Sequence, residues 1–340
     1  MSQVRTAPSP EVALVAVNWN GRDDCEAMLE SVRAQTYALS ELLVVDNGSE
    51  DGSKEWFLRQ PDVRLIANGR NRGFAVAVNQ GLRATGAPLV LLCNLDVVLD
   101  REFVALAAAR IQMSEDIGGV GGRLRRPHPG PGPGLLDTTG HVLHRSGWVG
   151  NRDQGAVDDA RHRQPEEVFG LSAAACLYRR RMLQDVALGG EVFCEDLFAY
   201  MEDVDLDWRA RWRGWRAWYE PRATASHRRG GSGLHATARI ERHVVANRIT
   251  VWARNAPSGW LRGKGLAGAL LLFGMRVGRA LPRHPTAALG FVDGLRRLPT
   301  SLSERQAIMA ARKVPAEELA RWAQPTPWRR LVLGPRRWLQ

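Results

Sequence analysis

The sequence predicts an α/β fold, a mostly parallel sheet flanked by helices, with an Arg-rich helical C-terminal extension. Three observations carry this. Short apolar runs alternate with helix-like stretches through the first hundred residues, the pattern of parallel βα units. Polar clusters directly follow those runs, where ligands sit in such sheets. The excess of positive charge lies at the end: from His235 onward there are 19 Lys and Arg against 5 Asp and Glu, net +14, and before it 28 against 31, net −3.

In chain order, Val12–Val17, Leu42–Val45, Val63–Ile66 and Leu89–Leu92 read as buried strands. Asp23–Gln35, Asp51–Gln60 and Phe74–Ala84 read as the helices between them. A helix over about Arg101–Met113 follows. The Gly-rich Gly118–Gly122 and the Pro/Gly stretch Pro127–Gly134 then read as an irregular surface loop. Residues 135–165 lack strong periodicity; Val168–Tyr178 predicts a strand and Asp203–Arg213 a helix. Past His235 come helical patterns broken by Pro257, Pro282, Pro299 and Pro325. The expected division is a tail over 1–10, a catalytic domain over 11–235 and a basic helical region over 236–340.

With 340 residues and 44% hydrophobic content, wholesale disorder and collagen-like fibres are excluded. Lysine occurs only at Lys54, Lys264 and Lys313, so 44 of the 47 basic residues are Arg, a bias without functional meaning of its own. The net charge of +11 raises a nucleic-acid partner, but nothing in the first 234 residues supports one. Cys25, Cys93, Cys176 and Cys194 fit no metal spacing and read as reduced thiols. The first apolar stretch runs straight into Asn18-Trp19-Asn20, unlike a signal peptide, and Gly265–Met275 is too short to span a bilayer. The expected location is cytoplasmic, peripheral on the inner face of the cell membrane.

Five clusters carry chemistry. Asp46-Asn47-Gly48-Ser49 ends a buried strand, where a carboxylate can accept from a base or ribose and the glycine admits close backbone approach; a plain Asx turn has the same residues. Asn71-Arg72-Gly73 opens a helix that carries Asn79, offering N–H groups to an anion or simply capping. Asn94-Leu95-Asp96 places two oxygen side chains at a strand end, suited to a hard divalent cation that keeps water and phosphate ligands. Phe198–Arg209 contains Glu202, Asp203, Asp205 and Asp207, four carboxylates whose mutual repulsion costs free energy unless a cation or substrate uses them. On a helix, Glu202 shares a face with Asp205, and Asp203 with Asp207. Finally, His227-Arg228-Arg229 supplies an imidazole and two guanidinium groups.

In this order the clusters resemble the family 2 glycosyltransferases, in their rhamnosyltransferase-like branch of bacterial cell-envelope enzymes, over about residues 11–235. The resemblance implies a GT-A fold, a nucleotide-diphosphate-sugar donor, Mg²⁺ or Mn²⁺, and inversion at the anomeric carbon. By position, Asn18, Asn20 and Asp46 would hold base and ribose, with Asn71, Gly73, Asn79 and Asn94 completing the donor pocket. Asp96 matches the metal carboxylate and His227 a further metal ligand. Asp203 matches the general base, with Glu202 and Asp205 positioning acceptor or base and their crowding raising its proton affinity. Ala173, where Gly is usual, and Phe193-Cys194-Glu195 depart from the family pattern at the acceptor side. Arg211-Trp212 is similar to part of a processive signature, but Trp208 stands in place of its Gln, which favours non-processive transfer. By resemblance the donor is dTDP-rhamnose, with UDP-sugars including UDP-galactofuranose next, and the acceptor a glycan or polyprenyl-diphosphate-linked saccharide.

The competing readings are another hexosyltransferase of the same fold, a sugar-nucleotide nucleotidylyltransferase, and a non-catalytic nucleotide-binding or membrane-attached module. The nucleotidylyltransferase would want a Gly-rich basic loop after the first strand, and Asn18-Trp19-Asn20-Gly21 does not provide it. In the tail, Leu266, Leu270, Phe273, Val277 and Leu281 fall on one helical face beside Arg276, Arg279 and Arg283. With Trp252, Trp260, Trp322, Trp328 and Trp338 they suit an anionic membrane interface, or else a helical subdomain packed on the core.

Overall fold

The computed structural model describes residues 9–128, 134–230, 238–282 and 285–326. The first hundred residues form the anticipated units: β1 (Val12–Asn18), α1 (Arg22–Arg33), β2 (Glu41–Asp46), α2 (Ser53–Leu58), β3 (Val63–Ala67), α3 (Phe74–Ala84) and β4 (Leu89–Cys93). These strands lie parallel in the order β3-β2-β1-β4, so all end at one edge. Their alternate side chains fill two cores. Leu14, Val44 and Leu91 face one side of the sheet; Val15, Leu43 and Leu92 face the other.

The chain then adds β5 (Val97–Leu99), α4 (Phe103–Ile111) and β6 (Ile117–Arg125). Gly118–Gly122 is therefore the buried centre of a strand and not a surface loop. Its glycines are small because a Cβ on Gly119 would meet Leu171 and Tyr178, and one on Gly122 would meet Phe103 and the Ala223 carbonyl. Within 135–165 run three short strands, β7 (Leu136–Thr138), β8 (His141–Leu143) and β9 (Val149–Asn151). Of the Pro127–Gly134 loop, residues 129–133 lie outside the described residues.

The single strand expected over Val168–Tyr178 is two, β10 (Glu166–Val168) and β11 (Ala175–Arg179), with the intervening peptide at the site. Next come α5 (Arg180–Asp185), α6 (Glu202–Trp212) and β12 (Arg216–His227). β11 inserts antiparallel to both β4 and β6, and β12 runs parallel to β6. It follows that β12 ends, and β11 begins, at the same edge where β1, β2 and β4 end. The mixed ten-stranded sheet thus collects His227, residues 170–174 and Asp96 on one rim.

The C-terminal region holds α7 (Ala238–Asn255), α8 (Gly263–Ala280), α9 (Ala287–Arg296), α10 (Leu298–Ala310) and α11 (Ala316–Arg321). Pro299 does not break a helix; it sits in the first turn of α10, where its missing N–H has no bond to lose. Past residue 235 the chain continues the core: Val251, Ile308 and Leu319 pack with Trp208, Trp212 and Phe169. The tail tryptophans are largely used internally. Trp260 meets Trp208 edge-on at 6.1 Å, Trp252 meets Phe273 at 6.3 Å, and Trp322 lies 4.1 Å from the Arg211 guanidinium. Trp328, Trp338 and Arg283 lie outside the described residues, as do the side chains of Arg276 and Arg279. Among the described residues no helix is long and apolar enough to cross a membrane.

Candidate active site

On the β1/β2 side, Asn18 and Asp46 are wholly buried and bonded to each other. Asn18 Nδ2 donates to Asp46 Oδ2 at 2.7 Å and to the hydroxyls of Ser53 and Ser49 at 2.8 and 3.1 Å. Asp46 Oδ1 accepts from the N–H groups of Gly48 and Ser49, both at 3.1 Å. Asn20, half-buried with φ 51°, accepts from the Glu50 N–H at 2.8 Å. The side chains of Asn18 and Asp46 are thus committed to shaping the turn.

The next turn is built in the same way. Asn71 Oδ1 accepts from the Gly73 N–H at 2.9 Å and from Asn47 Nδ2 at 3.0 Å. Gly73 has φ 94°, and a Cβ there would strike Phe198; the Phe198 carbonyl accepts from the Ala75 N–H at 3.2 Å. Asn79 is buried and clamps the 193–195 segment: it donates to the Phe193 carbonyl at 2.7 Å and to Glu195 at 3.1 Å, and accepts from the Phe193 N–H at 3.0 Å. These residues tie the front turns to the loop before α6.

At the strand end, β5 pairs antiparallel with β12, setting Val97 opposite His227. His227 Nε2 comes within 3.3 Å of Asp96 Oδ1. Its Nδ1 is held at 2.7 Å by Asp137, a fully buried carboxylate that also pairs with Arg229. That second bond fixes the ring so that Nε2 faces Asp96, as an outer carboxylate does for a ligating imidazole. Burial works against protonation of His227, but its bonds to Asp137 and Asp96 outweigh this and push it up to about 9. A divalent cation would take the place of the proton on Nε2; one carboxylate and one oriented imidazole, with the half-buried Asn94 two residues away, then fit an ion that draws its remaining ligands from water and phosphate. Among the described residues, no group of three or more His, Cys, Asp or Glu converges as a metal cage.

The four carboxylates of α6 separate sharply. Only Asp203 is open, with 18% of its side chain exposed. Its Oδ2 accepts from the Ala173 N–H at 3.3 Å, and the neighbouring Ala174 carbonyl accepts from the Asn94 N–H at 2.8 Å. One short peptide therefore spans from the Asp96 strand end to Asp203. Glu202 is buried with Oε2 unpartnered, and burial beside the Asp203 charge pushes it up to about 8. Asp205 does not sit with Asp203. Two residues on, it faces the C-terminal helices, pairing with Arg209 at 2.9 Å and Arg254 at 3.2 Å and accepting from Asn255 at 2.7 Å. Burial opposes its ionisation, but Arg254 and Arg209 hold it below the usual carboxylate range. The crowding expected among Glu202, Asp203 and Asp205 thus reduces to the first two.

Asp207 does share the Asp203 face. It binds His141 Nδ1 at 2.6 Å, while His141 Nε2 lies 3.7 Å from Asp203. Arg211 and Trp212 are structural: Arg211 donates to the Phe169 carbonyl at 2.9 Å, and Trp212 to the Asn255 carbonyl at 2.9 Å.

Sequence reasoning missed Asp137, His141 and Asn247. The first two lie on strands of three residues, too short for any periodicity. Asn247, on α7, donates to the carbonyls of Leu197, Ala199 and Tyr200 at 2.7, 3.0 and 2.8 Å. That loop carries Phe198, Tyr200 and Met201 at φ 60°, 70° and 74°, a strained entry to α6 that needs such a clamp.

The chain is 29% identical to the N-acetylglucosaminyl-diphospho-decaprenol L-rhamnosyltransferase of Mycobacterium tuberculosis, over 74% of this chain and 89% of that one. It is 24% identical to the poly-beta-1,6-N-acetyl-D-glucosamine synthase of Staphylococcus aureus, over 60% of this chain and 47% of that one. In fold it is similar to GalNAc-T7 solved with UDP, GalNAc and Mn²⁺, with a TM-score of 0.60 and 14% identity, over 90% of this chain and 57% of that one. It is also similar to a mannosyltransferase from Pyrobaculum calidifontis solved with GDP-Man and Mn²⁺, with a TM-score of 0.51 and 18% identity, over 89% and 86%. The architecture is thus the GT-A fold of glycosyltransferases. Residues 14–187 match glycosyl transferase family 2, and the chain belongs to that family.

Proposed function

We infer that this glycosyltransferase inverts the anomeric centre, is non-processive, and uses Mg²⁺ or Mn²⁺ to move L-rhamnose from dTDP-L-rhamnose to a polyprenyl-diphosphate-linked acceptor in cell-envelope polysaccharide synthesis. One observation carries this reading: the only open carboxylate of α6, Asp203, is joined through Ala173 and Ala174 to the strand end that bears Asn94 and Asp96. A base and a diphosphate-side centre a short peptide apart are what a single inverting displacement requires. The similarity to a rhamnosyltransferase named for a decaprenol diphosphate acceptor supports the choice of sugar and acceptor.

In this reading Asp203 takes the proton of the acceptor hydroxyl as that oxygen bonds to the anomeric carbon, and the bond to the diphosphate breaks with its electron pair leaving on the phosphate. Asp96 and His227 would hold the cation, with Asn94 beside them; when bound, it neutralises charge on the departing diphosphate. Neutral Glu202, one residue from the base, adds no second negative charge near the acceptor. Asn18, Asn20, Asp46, Asn71, Gly73 and Asn79 act by building the donor turns, whose backbone would meet the nucleotide.

A donor panel followed by thermal shift tests this. dTDP-L-rhamnose should raise Tm more than UDP-galactofuranose, UDP-N-acetylglucosamine or GDP-mannose, by more with Mn²⁺ than without, and the Mn²⁺ increment should vanish in Asp96→Asn. A larger shift with a UDP-sugar would reassign the donor; an unchanged increment in Asp96→Asn would remove the metal site.

The C-terminal helices also support attachment to an anionic membrane. Leu270 and Leu271 on α8 are 54% and 55% exposed, and Leu289, Val292 and Leu295 on α9 are also open, in a region of net charge +14. Full-length protein should float with anionic liposomes, and a Leu270→Glu, Leu271→Glu variant should float less. Equal flotation of the two would reject this face.

A further inference from the structure

His141 is a buried imidazole between two carboxylates of one helix face, and none of the roles above uses it. Its backbone N–H donates to the Gly170 carbonyl at 2.8 Å, which fixes the main chain that carries the ring. Nδ1 is anchored on Asp207 at 2.6 Å, and Asp207 is itself fixed, accepting from the Leu171 N–H at 3.0 Å with Gly170 pressed against it where any Cβ would collide. The remaining nitrogen, Nε2, is left facing Asp203 Oδ2 at 3.7 Å.

We propose that His141, anchored by Asp207, is a positioning residue for Asp203, its Nε2 edge orienting the carboxylate that takes the acceptor proton. This rests on Asp203 being the base. The charged groups facing His141 are Asp203, Asp207 and Glu202 of α6. Asp203 and Asp207 also face Cys176 and Tyr178 of β11, which burial keeps neutral, and Asp207 faces Arg211, which is paired with Glu167. Burial disfavours a charged imidazole, but Asp203 and Asp207 more than offset this and raise the affinity of His141 for its proton. Without that ring between them, two carboxylates one turn apart would face and repel each other in a closed setting.

The first test needs no substrate. The His141 ring signals, assigned by their loss in His141→Gln, are titrated by heteronuclear NMR in the full-length protein. The midpoint should lie above the ordinary imidazole value and fall in both Asp203→Asn and Asp207→Asn. A midpoint that Asp203→Asn leaves unmoved overturns the proposal. The second test uses dTDP-L-rhamnose with N-acetylglucosaminyl-diphospho-polyprenol. His141→Gln should lower kcat about tenfold or more at neutral pH, leave the donor KM unchanged, and shift the acid limb of the profile upward so that activity recovers in alkali. A uniform loss at every pH marks a purely structural role and overturns it. Should His141→Gln fail to fold, His141→Asn, which also removes the imidazole and keeps both carboxylates, is expected to show the same shift. Transfer surviving in Asp203→Asn would defeat the base assignment itself; a dead Asp203→Asn with an unmoved limb in His141→Gln defeats only this proposal.

Discussion

The paired turns that follow β1 and β2 and the face of α6 are both rich in side-chain oxygens, yet they are built on opposite principles. In these turns Asn18, Asp46, Ser49 and Ser53 bond one another, so that each oxygen of the buried carboxylate and the buried amide nitrogen have partners. On α6, Glu202 keeps an unpartnered oxygen and a raised proton affinity, Asp203 stays open, and Asp207 is pushed up to about 6 by burial, against the pull of His141. Satisfied networks make a rigid frame; incompletely satisfied, shifted carboxylates make reactive ones.

Three substitutions sharpen this contrast. The largest expected effect is Asp205→Ala, which leaves Arg254 in the core without its main partner; breaking a buried pair from one side costs about 3–5 kcal/mol, read as a lower midpoint in denaturant. Asn18→Ala should cost about 1–3 kcal/mol by leaving Asp46, Ser49 and Ser53 short of a donor, with no change in the shape of the pH–activity profile. A changed profile would mean that the turn takes part in proton chemistry. The smallest effect is a slope. Glu202 binds its proton more tightly when folded, so its burial is uncompensated only once it ionises; its favourable contribution is present below about pH 4.5 and lost as pH rises through about 8. In Glu202→Gln that part of the decline in Tm between those values should disappear, and an unchanged slope would deny the shift.

Legibility followed element length. The βα units of the first hundred residues show in the sequence because each strand is a continuous apolar run and each helix long enough to have a face. The residues of both centres, Asp96, Asp203, Glu202 and His227, stand at the ends of such elements. What stayed hidden came from short or non-local structure. Asp137 and His141 lie on three-residue strands, and the peptide at Ala173 was hidden in an apparently continuous strand. Asp205 reads with Glu202 and Asp203 in the sequence, but its partners Arg254 and Asn255 come from a helix some fifty residues away. The tail was half legible: its charge and exposed leucines show in the sequence, but the packing of Trp260 and Trp322 inward is a tertiary fact.

The central claim is that Asp203 removes the acceptor proton while Asp96 and His227 attend the diphosphate. It is tested most directly by Asp203→Asn, measured for sugar transfer and, on the same preparation, for the Mn²⁺-dependent thermal shift with donor. The account predicts loss of transfer by about 10²–10⁴-fold with the donor-induced shift intact. Transfer at the wild-type rate would contradict it.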